Sequence, residues 1–339
     1  MLFLYFYFNL TENNVKQDRV ERGDNKIRER TMTADFTVMS MSGVYEGQEF
    51  CLGANANFLD MTDIPGTNCY CDEGAKIEIK RRLEESNAYE TPVHFLDSGN
   101  YHYLSLFYLE RIEEDFELLL LDNHPDMQAP SFGEVTSCGG WVREALYRLP
   151  HLKKLYLYGI EDILLRQIAQ EEPVDPRVVL LRSWQAVNDN GNSIKEGAQA
   201  PGDFDARRDP WKLVVEEDVR ERLKVDSKVE SCRQAKEENS GRQREKERKR
   251  PDGKQEGRPL YISLDKDVLR LGDAFCNWSQ GVTSIGEIEE LLAFCYASRR
   301  LLGLDICGEI SVLEQSLGDD IGAQARNDAL NAKLAELCS

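Results

Sequence analysis

The feature that most constrains this chain is a set of short, almost unbroken apolar runs alternating with stretches of helical periodicity. Phe36–Met41, Val93–Leu96, Phe116–Leu121, Leu155–Tyr158, Val178–Leu181, Leu260–Leu264 and Leu302–Ile306 read as strands. A strand with one wet face alternates apolar and polar residues, whereas a near-continuous apolar strand needs cover on both faces. Between them, Asp72–Glu85, Tyr103–Ile112, Gly140–Leu149, Ile285–Arg299 and Gly322–Leu337 read as helices. Ser284 and Glu287 have the spacing of a capping box, and Ile285, Ile288, Leu291, Leu292 and Cys295 make an apolar stripe at helical spacing. In the first helix Ile77, Ile79 and Leu83 are the expected buried positions. The stretch after Met41 reads as a loop rich in Gly and Asn. Strands and helices in this alternation predict a three-layer α/β/α fold with a mostly parallel central sheet.

In such a sheet ligands bind beyond the carboxyl ends of the strands, and acids fall there. Phe116–Leu121 runs into Asp122-Asn123-His124-Pro125-Asp126, and Leu260–Leu264 runs into Asp265-Lys266-Asp267. Asp305 lies near the end of Leu302–Ile306. Successive strand side chains alternate faces, so Asp122, His124 and Asp126 converge if the extended geometry persists, as do Asp265 and Asp267. Carboxylates held together repel unless a cation neutralises them. Oxygen-rich sets with an imidazole suit hard or borderline divalent ions, Mn²⁺ foremost. The chain has four histidines. His124 lies inside the motif and His102 follows the loop after Val93–Leu96, while His94 and His151 read as packed or surface residues.

The net charge of −19 argues against a nucleic-acid partner, because phosphate contacts demand a basic face. The charge is uneven: residues 201–258 hold 17 basic and 15 acidic side chains. This stretch is poor in apolar residues, so a charged, mobile insertion is expected at about 199–257 of an otherwise single domain spanning 32–339. Residues 1–31 read as a dispensable extension ahead of an internal start at Met32. No run approaches the roughly 20 apolar residues of a membrane helix. Nine cysteines, an odd number without a framework, indicate free thiols and a reducing cytoplasm.

The three ligand-bearing stretches together resemble the ureohydrolases, the arginase–agmatinase–formimidoylglutamase superfamily. Its GGDHS-type loop, DAHxD motif and SxDxDxxDP motif are matched in order by Gly99-Asn100-Tyr101-His102-Tyr103, Asp122–Asp126 and Ser263-Leu264-Asp265-Lys266-Asp267. The resemblance covers roughly Asp35 to the C-terminus and implies an arginase-like fold with a binuclear manganese centre. It implies one ion on His102, Asp122, Asp126 and Asp265, and a second on Asp122, His124, Asp265 and Asp267, with Asp122 and Asp265 bridging. It further implies that a hydroxide shared by the ions attacks a planar carbon bonded to nitrogen in a small guanidino, formimino or related compound. Asp126 would accept a hydrogen bond from that hydroxide. Trimers and hexamers are common in the family, which admits a homo-oligomer.

The chain also departs from the family. Tyr101 and Tyr103 replace the Asp and Ser of the first loop, and Val268-Leu269-Arg270-Leu271 lacks the Asp-Pro. The loop after the second motif reads Ser137-Cys138-Gly139-Gly140-Trp141, without the histidine of members with arginase activity. The family's guanidinium-binding Glu follows a GLDIxE-type strand end by a fixed step; here Gly308 takes that place and Glu309 comes one position late. Ser137 and Glu309 are the expected substrate contacts, although Ser137 also suits a plain turn into a helix and Glu309 a structural carboxylate. The departures argue against arginase itself. The sequence therefore supports a metal-dependent C–N hydrolase of unassigned substrate, with a non-catalytic metal-binding or regulatory relative as the alternative reading and amide deacetylation as a third.

Overall fold

The computed structural model of the protein describes residues 34–52, 55–130, 133, 135–171, 174–181, 257–310 and 322–337. The segments 1–31 and 199–256, expected to be an extension and an insertion, lie outside the described residues.

The chain order is β1 (Phe36–Ser40), β2 (Ala56–Asp60), β3 (Tyr70–Cys71), α1 (Glu73–Glu85), β4 (Val93–Phe95), α2 (Leu104–Leu109), β5 (Phe116–Leu121), β6 (Thr136–Ser137), α3 (Trp141–Arg148), β7 (Leu152–Tyr158), α4 (Asp162–Glu171), β8 (Val178–Leu181), β9 (Leu260–Asp265), α5 (Ile285–Ser298), β10 (Leu301–Cys307) and α6 (Ala323–Leu337). Eight strands form one parallel sheet in the order β2-β1-β4-β10-β9-β5-β7-β8, and β3 and β6 pair antiparallel beside it.

The central strands are buried on both faces, as their unbroken apolar content requires. All six residues of β5 and of β9 are buried. Leu118 and Leu120 pack into one core and Leu119 and Leu121 into the other, on opposite sides of the sheet. Each such leucine contributes about 1.5–3 kcal/mol relative to exposure, which helps offset the burial of carboxylates at the strand ends. The polar exception within β5, Glu117, is paired with Arg299 at 2.7 Å.

The helices start where their caps specify. Asp72 accepts a hydrogen bond from the Ala75 amide at 2.8 Å, and Ser284 with Glu287 closes a full capping box on α5. Ile79 and Leu83 are fully buried, but Ile77 is 68% exposed. It sits two residues from Ile79, hence about 200° around the helix from it. Two elements of the main fold were not expected from sequence. The stretch read as loop contains β2, an edge strand whose burial is only partial. Helix α4 is the crossover that joins β7 to β8 in the chain.

Strand register sets the height of the site. Leu121 pairs with Leu264, which brings Asp122 level with Asp265. Adjacent β5 and β9 also leave the sheet in opposite directions, toward β7 and β10 respectively. Such a divergence opens a crevice at the carboxyl ends. Asp305 does not reach it. It pairs in register with His94 and Ser263, inside the sheet, and its Oδ1 meets His94 Nδ1 and the Tyr261 hydroxyl at 2.7 Å each. His94 is thus a packed core histidine, stacked on Tyr108 with 3.7 Å between centroids.

Candidate metal centre

Six side chains from the end of β9 and three adjoining loops converge in the crevice: His102, Asp122, His124, Asp126, Asp265 and Asp267. All but His124 are buried. Three groups among the described residues have donor atoms close enough together to hold an ion: His102 with Asp122 and Asp126, Asp122 with His124 and Asp267, and His102 with Asp265 and Cys307. Asp122 belongs to the first two. Asp265 lies within reach of the first, its Oδ2 3.7 Å from His102 Nδ1.

The convergence does not come from a continued strand. Past Leu121 the backbone leaves the extended geometry, and Asp126 adopts a left-handed conformation with φ +47°. Aspartate tolerates that region better than most residues. The turn carries the Asp126 carboxylate to His102, with 3.0 Å between Oδ2 and Nδ1, and the Trp141 indole N–H donates to the same oxygen at 2.7 Å. Asp267 likewise arrives through a tight turn, Lys266–Val268, whose Asp267 amide donates to Asp265 Oδ1 at 2.9 Å. The expectation of faces shared by alternation is corrected in both motifs, while the residues brought together are those it named.

Both histidines present Nδ1 to the carboxylates and use Nε2 elsewhere. His102 Nδ1 lies 3.2 Å from Asp122 Oδ2, and its Nε2 meets Ser263 Oγ at 2.8 Å, itself 3.0 Å from Ser105 Oγ. His124 Nδ1 lies 2.7 Å from Asp267 Oδ2, and its Nε2 meets Ser279 Oγ at 2.9 Å. A hydroxyl accepting from the outer ring nitrogen fixes the tautomer whose inner nitrogen is free to ligate. Close packing holds Asp265: the Cys307 thiol donates to its Oδ2 at 3.2 Å. A Cβ at Gly308, where φ is +91°, would come within 2.4 Å of Asp265 Oδ1, and one at Gly99 within 2.9 Å of Oδ2. Only glycine fits the first of these.

The electrostatics favour a cation. Burial, joined by the charge of a neighbouring aspartate, raises the pKa of Asp122 and Asp265. Burial likewise raises Asp126 and, together with the charge of Asp122, brings Asp267 to about 7. Burial opposes charge on His124, but hydrogen bonds to Asp122 and Asp267 prevail and carry it to about 11. Asp122 Oδ2 is buried and makes no hydrogen bond. A buried carboxylate oxygen without a hydrogen bond, in a cluster of four acids and two imidazoles, fits a divalent ion, which offsets repulsion that protons otherwise relieve.

The centre forms the floor of a pocket of about 240 Å³, walled by Cys69, Tyr70, Gln128, Ser137, Cys138 and Trp278. Ser137 thus borders the pocket as expected, on the short β3–β6 ribbon. Glu309 does not border it. Its carboxylate is 1% exposed, bonded to Lys266 and to Asn331 Nδ2 at 2.7 Å, with Gln48 and Asn327 beside it. These surroundings are those expected of a structural carboxylate at a strand end. Sequence reasoning did not find Ser263, Ser279, Trp141, Cys307 or Trp278. Of these, Ser263 stood within the matched motif, Trp141 at the end of the Ser137–Trp141 loop and Cys307 at a strand end; Ser279 and Trp278 come from a loop with no spacing signal.

No family model matches the chain. An uncharacterized protein of Thermotoga maritima is 27% identical over 278 residues, covering 82% of this chain and 80% of that protein. Among solved structures, an arginase from Bacillus subtilis is similar with a TM-score of 0.49 and 11% identity, over 89% of this chain and 98% of that one. A hypothetical agmatinase from Burkholderia thailandensis is similar with a TM-score of 0.40 and 13% identity. The match covers 78% of this chain, which spans only 63% of that agmatinase.

Proposed function

We propose that the protein is a binuclear manganese-dependent hydrolase of the ureohydrolase type, cleaving a C–N bond in a small guanidino, formimino or related nitrogen compound. The observation that carries this reading is the pair of three-ligand groups sharing Asp122 on the floor of an accessible pocket. One ion would sit on His102, Asp122, Asp126 and Asp265, the other on Asp122, His124, Asp265 and Asp267. Bound there, the ions supply Lewis acidity that lowers the pKa of a coordinated water toward neutrality.

The chain's own residues do the rest. Ser263 and Ser279 orient the two imidazoles. The Trp141 N–H holds one lobe of Asp126, leaving its other oxygen to accept a proton or a hydrogen bond from the nucleophile. The pocket admits a small planar group, and Gln128, Ser137 and the exposed edge of Trp278 offer neutral contacts to it. Among the described residues, no carboxylate outside the ligand set borders the pocket, and Glu309 is committed to Lys266. Among those residues, a guanidinium finds no dedicated acid of the kind expected of arginase.

The test is metal analysis of the full chain followed by a screen for ammonia and urea release over guanidino and formimino compounds. The expected result is two manganese ions per chain and turnover of at least one compound that is lost in Asp126→Asn. Two ions with no turnover on any compound would instead favour the non-catalytic reading.

A further inference from the structure

The short ribbon on the pocket wall brings together two cysteines that are far apart in the chain. Strands β3 and β6 pair antiparallel, with Tyr70 opposite Ser137 and Cys71 opposite Thr136. One step further along this ladder Cys69 faces Cys138, and the Cys138 amide donates to the Cys69 carbonyl at 2.9 Å. Directly opposed residues of an antiparallel pair stand about 4.5–5.5 Å apart at Cα, inside the roughly 4.4–6.8 Å that a disulfide spans. The side chains meet as well: the two thiols share a hydrogen bond. Neither cysteine is in a disulfide.

Access sets this pair apart. Cys71, Cys295 and Cys307 are buried, whereas Cys69 and Cys138 are half-buried and both border the pocket above the metal centre. A small oxidant entering the pocket therefore reaches both sulfurs. Cys69 holds a left-handed backbone conformation, φ +60°, costly for a residue with a Cβ and of the kind that collects at functional sites. The hydrogen bond to Cys69, then burial and the charge of Asp126, push the Cys138 thiol up. Cys138 thus keeps its proton and donates to the Cys69 sulfur, which makes Cys69 the attacking atom of the pair.

We propose that Cys69 and Cys138 form an oxidisable dithiol site, closed to a disulfide by a hydroperoxide and reopened by a dithiol. The Cys69 sulfur attacks one oxygen of hydrogen peroxide, the O–O bond breaks, and a sulfenic acid forms on Cys69 while water leaves with the thiol proton. The Cys138 sulfur then attacks Cys69 Sγ, the S–O bond breaks, and a second water leaves with the Cys138 proton. Two thiols and one peroxide become one disulfide and two waters, the sulfurs giving two electrons to the peroxide oxygens. A half-exposed disulfide is the labile kind that exchanges with thiols, so in a reducing compartment such a pair is reduced at rest and oxidised transiently. Closure staples the ribbon that carries Ser137 across the pocket wall. This chemistry is independent of the hydrolase reading.

The test treats the full-length, manganese-loaded protein with a small excess of hydrogen peroxide and maps its nine cysteines by mass spectrometry. The expected product has lost two thiols and yields a crosslinked peptide pair joining Cys69 to Cys138, reversed by dithiothreitol, with manganese content unchanged. In Cys138→Ser the same treatment should leave a sulfenic acid on Cys69, trapped by dimedone. The crosslink should survive in Cys51→Ser, a change at another half-buried cysteine. Cys69 and Cys138 both persisting as thiols in the native protein would overturn the proposal. So would Cys69 passing to sulfinic acid with no crosslink at any stage, or either cysteine pairing with a different one instead.

Discussion

His124 Nδ1 lies 2.7 Å from Asp267 Oδ2, joining the ends of β5 and β9 across 143 residues of chain. The contact closes the ligand group of Asp122, His124 and Asp267, and through Asp122 it links that group to His102 and Asp126. Neither motif makes a centre by itself. Adjacent strand positions and matched register make one of them together.

Asp122 is the residue both groups share, so its loss should empty both. Asp122→Asn is expected to lower manganese affinity at least about 100-fold, more than the 10–100-fold typical of losing a hydrogen-bond partner behind a ligand. The metal-free variant should be no less stable than the native protein, because one of several mutually repelling buried carboxylates has been neutralised. Metal content after dialysis and melting with and without manganese check both statements.

Removing the hydroxyls behind the imidazoles should separate the two ions. Ser263→Ala frees His102 Nε2 and should weaken the ion on His102; Ser279→Ala should weaken the ion on His124. Each is expected to cost about 10–100-fold in affinity at its own site. Titration with manganese followed by electron paramagnetic resonance reads the sites separately, and equal weakening of both ions by either change would contradict the assignment.

The metal-free protein should lose stability as pH rises. Asp267, raised to about 7, keeps a proton in the native state at pH values where the unfolded chain, with a pKa of about 4, has lost it. Stability from this group therefore grows as pH falls from 7 toward 4. His124, raised to about 11, contributes stability that is complete below the unfolded value of about 6.5 and is lost as pH climbs through 11. Both groups bind excess protons in the native state, so their signs agree. Manganese must displace those protons, and its apparent affinity should rise with pH. Calorimetry in buffers of different ionisation enthalpy measures the protons released.

The buried pair Lys266–Glu309 yields a prediction about folding rather than chemistry. Glu309→Ala leaves a fully buried ammonium without its carboxylate and should cost about 3–5 kcal/mol. Replacing both members, as in Lys266→Met/Glu309→Leu, should recover much of that loss. Were Glu309 a substrate contact instead, Glu309→Gln would raise KM with little change in denaturation midpoint.

The parallel sheet and the six converging side chains were legible because strong signals specify them: unbroken apolar strands and charged residues at their carboxyl ends. Local geometry was less legible. Asp126 reaches His102 through a left-handed turn, not by alternation, because aspartate takes up that conformation where a strand stops. Strand β2 was missed since an edge strand is only partly buried and carries little apolar signal. The surroundings of Glu309 were not legible, because sequence position near a strand end does not reveal that Lys266, one residue beyond Asp265, turns inward to meet it.

The most direct test is a crystal structure of the manganese-loaded protein with anomalous data collected at the manganese edge. The expected map has two peaks, one bounded by His102, Asp122, Asp126 and Asp265, the other by Asp122, His124, Asp265 and Asp267. A saturated crystal with no peak among these six side chains, or with a single ion that leaves His102 or His124 unligated, would contradict the binuclear centre.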